Sequence, residues 1–171
     1  VDVVGLTSGV KMVDTSSVYF LGEVSLRTCA LTNAGGVKCW GENSVGFLGD
    51  GPTEHRYVHT DVVGLTSGVK QIALDRTNTC ALTIQGGVKC WGQGPLGDGT
   101  DAYHTLPTDV SGLQSGVTAI AVGPMEMSAL MASGEVKCWG GHSGEADDEV
   151  YLPSAVPNLG GRAISIALSN Y

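Results

Sequence analysis

The sequence predicts an all-β protein built from repeated antiparallel units of four strands, with no substantial helix. Three observations support this prediction. A phrase that reads Cys-Ala-Leu-Thr and then Lys-Cys-Trp-Gly occurs at 29–41 and 80–92, and in altered form at 128–140. A second phrase, Asp-Val-Val-Gly-Leu-Thr-Ser-Gly-Val-Lys, is identical at 2–11 and 61–70. Within each copy the apolar residues alternate with period two, which is typical of strands.

The spacing between the copies sets the size of one unit. Cys29 and Cys80 are 51 residues apart, and Cys80 and Ser128 are 48 residues apart. Lengths of this order suit one four-stranded blade of a β-propeller, so the 171 residues make roughly 3.5 blades. The result is a partial or half propeller. We expect one repeat domain over 1–171, with units at approximately 10–59, 60–108 and 109–156 and a partial unit at 157–171.

Each unit is predicted to open with a short strand and to continue into a hairpin. The hairpin loop has three residues in every copy, and its last residue is a glycine at a position that favours positive φ. These glycines are Gly35, Gly86 and Gly134. A Gly-Asp-Gly turn at 49–51 and at 97–99 follows the third strand, and the Thr-Asp-Val stretches at Thr60 and Thr108 are predicted to form the next, outer strand.

The first unit is longer than the second before its cysteine strand. Val10 and Cys29 are 19 residues apart, whereas Val69 and Cys80 are 11 apart. We predict a loop inserted at the blade edge within 12–27. Its most apolar part is a candidate contact with another chain, to which it would add a strand. That part consists of Val18, Tyr19, Phe20 and Leu21.

Charge and hydropathy argue against two classes of partner. The net charge is −8, which disfavours binding to a phosphate backbone. No apolar run approaches the length of a membrane span, and the chain does not open on the pattern of a signal peptide. We therefore expect neither a nucleic-acid partner nor a membrane span.

Both ends fall within a repeat, and the stretch at 164–168 is predicted to match the strand at 70–74, so we expect a processed chain or a piece of a longer protein.

The linked motifs resemble repeats of the regulator of chromosome condensation type, in particular their cysteine-containing, secreted bacterial branch. The order is Cys-Ala-Leu-Thr-x-x-Gly-Gly-Val-Lys-Cys-Trp-Gly, then Leu-Gly-Asp-Gly, then Pro-Thr-Asp-Val-x-Gly-Leu-x-Ser-Gly-Val. The resemblance covers nearly the whole chain except 12–27 and 141–151. It implies a β-propeller, usually closed by seven blades, that serves as a platform for protein partners rather than as an enzyme.

The hairpin register places cysteines opposite one another. With three-residue loops, Cys29 faces Cys39 and Cys80 faces Cys90, which predicts two cross-strand disulfides worth about 2–3 kcal/mol each. Ser128 replaces the first cysteine of the third copy, so Cys138 is predicted to be a free thiol. The alternative is that all five cysteines are reduced, buried side chains. A zinc site is disfavoured because the spacing is not that of a Cys-x-x-Cys knuckle.

The three tryptophans alternate with the cysteines, so they point to the other face of each sheet. We interpret Trp40, Trp91 and Trp139 as packing residues between blades. A carbohydrate-stacking role would instead require aromatic side chains clustered on one exposed surface.

Catalytic and metal-binding signals are weak. The four histidines fall in variable loops with no recurring Ser-His-acid order, and the acidic stretch at 145–149 lacks the ligand spacing of a calcium loop. We predict no catalytic residue, no metal and no cofactor. The variable loops instead supply candidate interaction residues, because the units diverge most there. These are His55, Arg56, Tyr57, Tyr103 and His104.

These observations predict a non-enzymatic extracellular or cell-surface module with a structural or interaction role. Because so few blades cannot close a ring, the preferred form is a self-assembling surface or filament subunit, whose partner is itself or a longer parent chain. The alternative is a partner-binding regulator, such as an enzyme inhibitor or an exchange factor for a small GTPase. A hydrolase or sugar-modifying enzyme would require acid and base residues that converge on one rim.

Overall fold

The computed structural model describes residues 3–6, 8–20, 23–123, 126–141, 151–157 and 159–168, without the side chains of 18–20 and 23. These residues form twelve strands and no helix, which confirms the predicted all-β fold. None of the described segments is therefore a helix that could cross a membrane.

Three antiparallel sheets of four strands follow one another along the chain, each with its strands adjacent in sequence order. The first sheet contains β1 (Val10–Phe20), β2 (Glu23–Thr32), β3 (Val37–Gly41) and β4 (Arg56–Asp61). The second contains β5 (Val69–Leu74), β6 (Asn78–Thr83), β7 (Val88–Gly92) and β8 (His104–Asp109). The third contains β9 (Val117–Gly123), β10 (Glu126–Met131), β11 (Val136–Gly140) and β12 (Ser154–Ala155).

The sheets pack face to face around two apolar cores. The core between the first and second sheets combines the cysteine face of the first with the tryptophan face of the second, including Cys29, Cys39, Ile72, Leu74 and Trp91. The core between the second and third sheets repeats this arrangement with Cys80, Cys90, Ile120, Val122 and Trp139. Strand β5 contacts both β1 and β9, so the first strands of the sheets lie along one side of the stack.

A backbone hydrogen bond links the second sheet to the first, and an equivalent one links the third sheet to the second. The amide of Val69 donates to the carbonyl oxygen of Gly35 at 3.0 Å, and that of Val117 donates to Gly86 at 3.1 Å. Gly35 has a φ of 82°, and a Cβ there would lie 2.9 Å from the nitrogen of Gly68. Glycine is therefore required both for the turn and for the close approach of the next sheet.

The predicted loop in the first unit is wrong, because the extra residues extend a hairpin. Strands β1 and β2 stay paired from Met12 and Leu31 out to Phe20 and Glu23. Strand β3 ends opposite Arg27, so the hairpin continues beyond its neighbour as an arm comprising residues 16–20 and 23–27. The ladder is continuous through the polar residues of β1, which is why apolar alternation alone did not predict it.

The predicted strand at 164–168 is not formed. The segment at 162–168 follows the third sheet, and the amide of Ala163 donates to the carbonyl oxygen of Gly134 at 3.0 Å, as Val69 and Val117 donate in the other sheets. The segment is not part of a sheet, because no other described segment pairs with its backbone.

Candidate functional site

Two tryptophans are buried against the Gly-Asp-Gly turn of the preceding sheet. Trp91 is fully buried and Trp139 is 1% exposed. A Cβ on Gly49 would lie 2.8 Å from the indole nitrogen of Trp91, and one on Gly97 would lie 2.9 Å from that of Trp139. The first glycine of each Gly-Asp-Gly turn thus makes room for the tryptophan of the next sheet.

No described segment covers the corresponding face of the first sheet in this way. Trp40 is only half-buried, although its strand has the same sequence as the strand of Trp91. Val13 is 55% exposed, whereas its counterparts Ile72 and Ile120 are 0% and 3% exposed. Each of these three residues lies opposite the alanine of its neighbouring strand, so their positions are equivalent. We call this surface, comprising Val13, Trp40 and Tyr57, the open face.

Tyr57 belongs to the open face by its position in the outer strand. Because Gly41 pairs with Arg56 and Gly92 with His104, Tyr57 is equivalent to Thr105. The carbonyl oxygen of Thr105 accepts a 3.2 Å hydrogen bond from the amide of Gly51 in the preceding sheet, and that of Tyr151 accepts one of 3.1 Å from Gly99. Tyr57 is 94% exposed. Its position is therefore one that a neighbouring blade contacts elsewhere in the stack.

The loop at 42–55 is held in one conformation by Asn43. The fully buried Asn43 accepts a 2.9 Å hydrogen bond from the amide of Leu48, and its side-chain nitrogen donates to Asp50, Pro52 and Glu54 at 2.9–3.2 Å. A buried amide with its hydrogen bonds satisfied rigidifies the surrounding backbone. The loop is thus a preorganised surface against which Trp91 packs.

Three of the predicted interaction residues are engaged with acidic groups of their own loops. His55 lies 2.9 Å from Glu42, Arg56 lies 2.8 Å from Asp50, and His104 lies 2.8 Å from Asp98. The contact between His104 and Asp98 lacks the alignment of a hydrogen bond. These side chains therefore brace their loops. Of the described candidates, Tyr57 and Tyr103 are the most exposed, while Leu21 and the side chains of Val18, Tyr19 and Phe20 lie outside the described residues.

Two of these carboxyl groups, those of Glu42 and Asp98, have a pKa below the usual value. Burial alone would raise the pKa of the Glu42 carboxyl, but hydrogen bonds from Ser44 and attraction to His55 outweigh it and lower the pKa. Burial likewise opposes a net lowering of the pKa of Asp98, which hydrogen bonds from Thr100 and attraction to His104 produce.

Arg27 was not predicted as an important residue. Its guanidinium carbon lies 4.5 Å from the centre of the Phe47 ring, and its Nη2 donates to the carbonyl oxygens of Asp75 and, at 2.7 Å, Asn78. Burial lowers the pKa of Arg27 to about 9, against attraction to Asp75 and Asp14. The cation therefore ties the base of the arm to the second sheet. Nothing in the local sequence signals it, because arginine is mostly exposed in proteins.

The cysteines pair as the register predicts. Cys29 bonds to Cys39 and Cys80 bonds to Cys90, each pair with Cα atoms 4.1 Å apart. Cys138 is a half-buried free thiol whose sulfur lies 3.0 Å from the hydroxyl of Ser128. Burial raises the pKa of Cys138, and the nearby Glu126 adds to this, so the thiol stays protonated at neutral pH.

The described side chains do not form a metal site: no three His, Cys, Asp or Glu residues among them converge on one point. The variable loops offer polar and charged side chains, and the open face offers exposed apolar ones. The arrangement is suited to binding a protein surface.

No protein-family model matches the chain. A curated relative, Ras guanine nucleotide exchange factor C of Dictyostelium discoideum, is 36% identical over 84 residues. The match covers 48% of this chain and 6% of that protein.

Solved structures match over a larger share of the chain. Human WBSCR16 is 25% identical with a TM-score of 0.66, over 77% of this chain and 35% of that one. Prp20p of Saccharomyces cerevisiae, also called yeast RCC1, is 18% identical with a TM-score of 0.66, over 78% of this chain and 37% of that one. The three sheets are thus RCC1-like propeller blades, and the chain spans about a third of the length of these solved relatives.

Proposed function

We propose that this stack of RCC1-like blades is a non-enzymatic protein-interaction module that self-assembles through its open face. The observation that carries the proposal is the half-buried state of Trp40, where Trp91 and Trp139 are buried by a neighbouring sheet. Exposed apolar patches of this kind mark interaction sites in soluble proteins.

A second copy of the chain is a suitable cover for this face. Val13 and Tyr57 of the open face are each more than half exposed, and so is Leu26. The register places Leu26 on the same side of the first sheet as Val13 and Trp40. Fully burying an aliphatic side chain of this size contributes about 1.5–3 kcal/mol. Identical patches on two copies can pair about a twofold axis, which is the commonest arrangement of homo-oligomers.

We further propose an extracellular setting and a relationship to the secreted bacterial branch of these repeats. The disulfides in two successive blades support it, since cross-strand disulfides persist in oxidising compartments and are rare in the cytosol.

The test is sedimentation velocity of the non-reduced protein and two variants. Val13→Asp places a charge on the open face and is expected to shift the association equilibrium toward the monomer by tenfold or more, because about 1.4 kcal/mol corresponds to a factor of ten. Ile84→Asp is the matched control, since Ile84 is 62% exposed in a hairpin loop of the second sheet. Equal association of both variants would reject the open face as the interface.

The second candidate is a partner-binding regulator of the exchange-factor type. It is favoured by the match to Ras guanine nucleotide exchange factor C and by the solved structure of Prp20p, which was described together with its binding to Gsp1p and histones. Release of a fluorescent guanine nucleotide from a Ras-type GTPase tests it. Acceleration that depends on Tyr57 or Tyr103 would support this candidate, and an unchanged release rate would reject it.

A further inference from the structure

A cavity of about 370 Å³ lies at the base of the arm, beside the loop at 42–55 and the start of β4. We call it the arm pocket. It combines a strand edge of the arm, a carboxylate and an aromatic ring. The residues that line it are Ser25, Leu26, Gly41, Glu42, His55 and Tyr57.

The wall of the arm pocket is apolar and open to solvent. Tyr57 is 94% exposed and Leu26 is 63% exposed. An aliphatic stem can lie along such side chains while its polar end stays hydrated, and the face of an aromatic ring attracts a cation. The wall therefore suits a long side chain with a cationic end.

Glu42 supplies a fixed negative charge. Its side chain is only 10% exposed, its Oε1 accepts a 3.0 Å hydrogen bond from the amide of Ser44, and its Oε2 lies 2.9 Å from Nδ1 of His55. The contact with His55 is an ion pair only when that histidine is protonated. Because a carboxylate oxygen can accept more than one hydrogen bond, Glu42 can still accept from a bound donor.

The second sheet shows that a stacked blade leaves this corner open. The amide of Glu42 donates to the carbonyl oxygen of Leu26, and the amide of Gln93 donates to that of Thr77, both at 2.9 Å, so the two corners are equivalent. The first sheet packs on the second, yet Thr77 and Gln93 are only half-buried, and Tyr103, immediately before β8, is 58% exposed. Stacking of blades therefore does not fill this position.

The two corners differ in charge, which indicates the kind of partner. An uncharged amide, that of Gln93, stands where the first sheet has the carboxylate of Glu42. The net charge of −8 also attracts cationic partners over a longer range. Among cationic side chains, arginine combines a planar head that stacks on aromatic rings with several donors suited to a carboxylate.

We propose that the arm pocket binds an arginine side chain of a basic partner protein. The guanidinium donates to the carboxylate of Glu42 and lies against the ring of Tyr57, and the aliphatic stem follows Leu26. This deepens the proposed interaction function, on which it rests, by naming the chemistry of a partner.

A second copy of the chain is a poor source of this arginine. Arg27 is buried, and Arg56, Arg76 and Arg162 have interaction partners of their own. The arm pocket is therefore assigned to a different protein, whereas the open face is assigned to self-assembly.

The probe is the peptide acetyl-Gly-Arg-Gly-amide, titrated at low salt into the isotope-labelled native chain and followed by NMR. The control peptide carries citrulline in place of arginine, which keeps the shape but removes the charge. We expect saturable shifts of the amide signals of Leu26, Gly41 and Glu42. The arginine peptide should bind about tenfold or more tightly than the citrulline peptide.

Two variants of the chain locate the site. Glu42→Gln should weaken binding of the arginine peptide by about tenfold, and glutamine suits the backbone there because Gln93 occupies the equivalent position. Glu54→Gln is the matched control, since it removes one charge from the same loop but lies outside the lining of the pocket. It should weaken binding by less than about twofold, because exposed charges act weakly at a distance in salt.

The proposal is overturned if the arginine peptide does not bind saturably, or if both peptides bind equally. Equal losses for Glu42→Gln and Glu54→Gln would also overturn it. The comparison of the two peptides uses only the native chain, so it holds even if a variant fails to fold. Val13 does not line the arm pocket, so Val13→Asp should reduce self-assembly and leave peptide binding intact. Failure of self-assembly and failure of arginine binding are therefore separate outcomes.

Discussion

The indole nitrogen of Trp91 donates a 2.9 Å hydrogen bond to the carbonyl oxygen of Phe47, across the boundary between the first and second sheets. The donor lies on a regular strand, and the acceptor lies in the loop that Asn43 organises. The variable loop of one blade is thus part of the core that it shares with the next. Substitutions in such a loop should change stability as well as partner binding.

Substitution of Gly49 tests how closely Trp91 packs against this glycine. Gly49→Ala would place a Cβ against the indole at a residue with a φ of 72°. Gly64 has a similar φ of 75°, but a Cβ added there would meet no atom within 4 Å. We expect Gly64→Ala to cost about 1–2 kcal/mol from backbone strain alone. Gly49→Ala should cost about 1–3 kcal/mol more because of overpacking. Urea unfolding measures both losses of unfolding free energy. Equal losses would contradict the close contact between Gly49 and Trp91.

Replacing each of the two buried tryptophans by phenylalanine measures how much the hydrogen bond to Phe47 contributes to stability. The indole nitrogen of Trp139 is buried without a partner among the described residues, whereas that of Trp91 has one. Both Trp→Phe changes remove similar apolar volume. The loss of unfolding free energy should therefore be larger for Trp91→Phe by about 1 kcal/mol. A larger loss for Trp139→Phe would show that the bond contributes nothing net.

Ser128→Cys should complete a third disulfide. Ser128 lies directly opposite Cys138, in the register of Cys29 with Cys39. Closure of this short loop should raise the unfolding free energy by about 2–3 kcal/mol under oxidising conditions. Thiol titration of the denatured, non-reduced variant should find no free cysteine. A variant that retains two free thiols would show that this hairpin cannot adopt the geometry of the other two.

The lowered pKa of Asp98 predicts that the stability of the fold depends on pH. Because the folded-state pKa of Asp98 is lowered, its ionised form stabilises the fold above the unfolded-state pKa of about 4, and this contribution is lost as the pH falls through the lower folded value. The native chain should be more stable than Asp98→Asn at neutral pH, and the difference should shrink on acidification. Chemical unfolding over a pH series measures it. A difference that grows with acid would contradict the sign of the shift.

The repeat explains why so much of the fold was predictable. A three-residue hairpin with a terminal glycine fixes its register, so the pairing of Cys29 with Cys39 could be deduced from spacing alone. The arm could not, because its strands continue through Asp14, Thr15 and Ser16, which carry no apolar alternation.

Contacts between sheets explain what the sequence could not predict about the site. Trp40 and Trp91 lie in identical Lys-Cys-Trp-Gly stretches, but of the two only Trp91 is covered by another of the described sheets. Arg27 is likewise buried by residues about 50 positions away, at the turn that contains Asp75 and Asn78. Local patterns carry no information about such neighbours.

The most direct test of the open face is the native mass of the unmodified, non-reduced protein, measured by light scattering over a dilution series at two salt concentrations. Self-assembly predicts a mass that rises above the 17.5 kDa of one chain as concentration increases. The rise should be larger in high salt, because screening weakens repulsion between copies of net charge −8. A mass of one chain at every concentration, with Trp40→Ser indistinguishable from the native protein, would contradict the account.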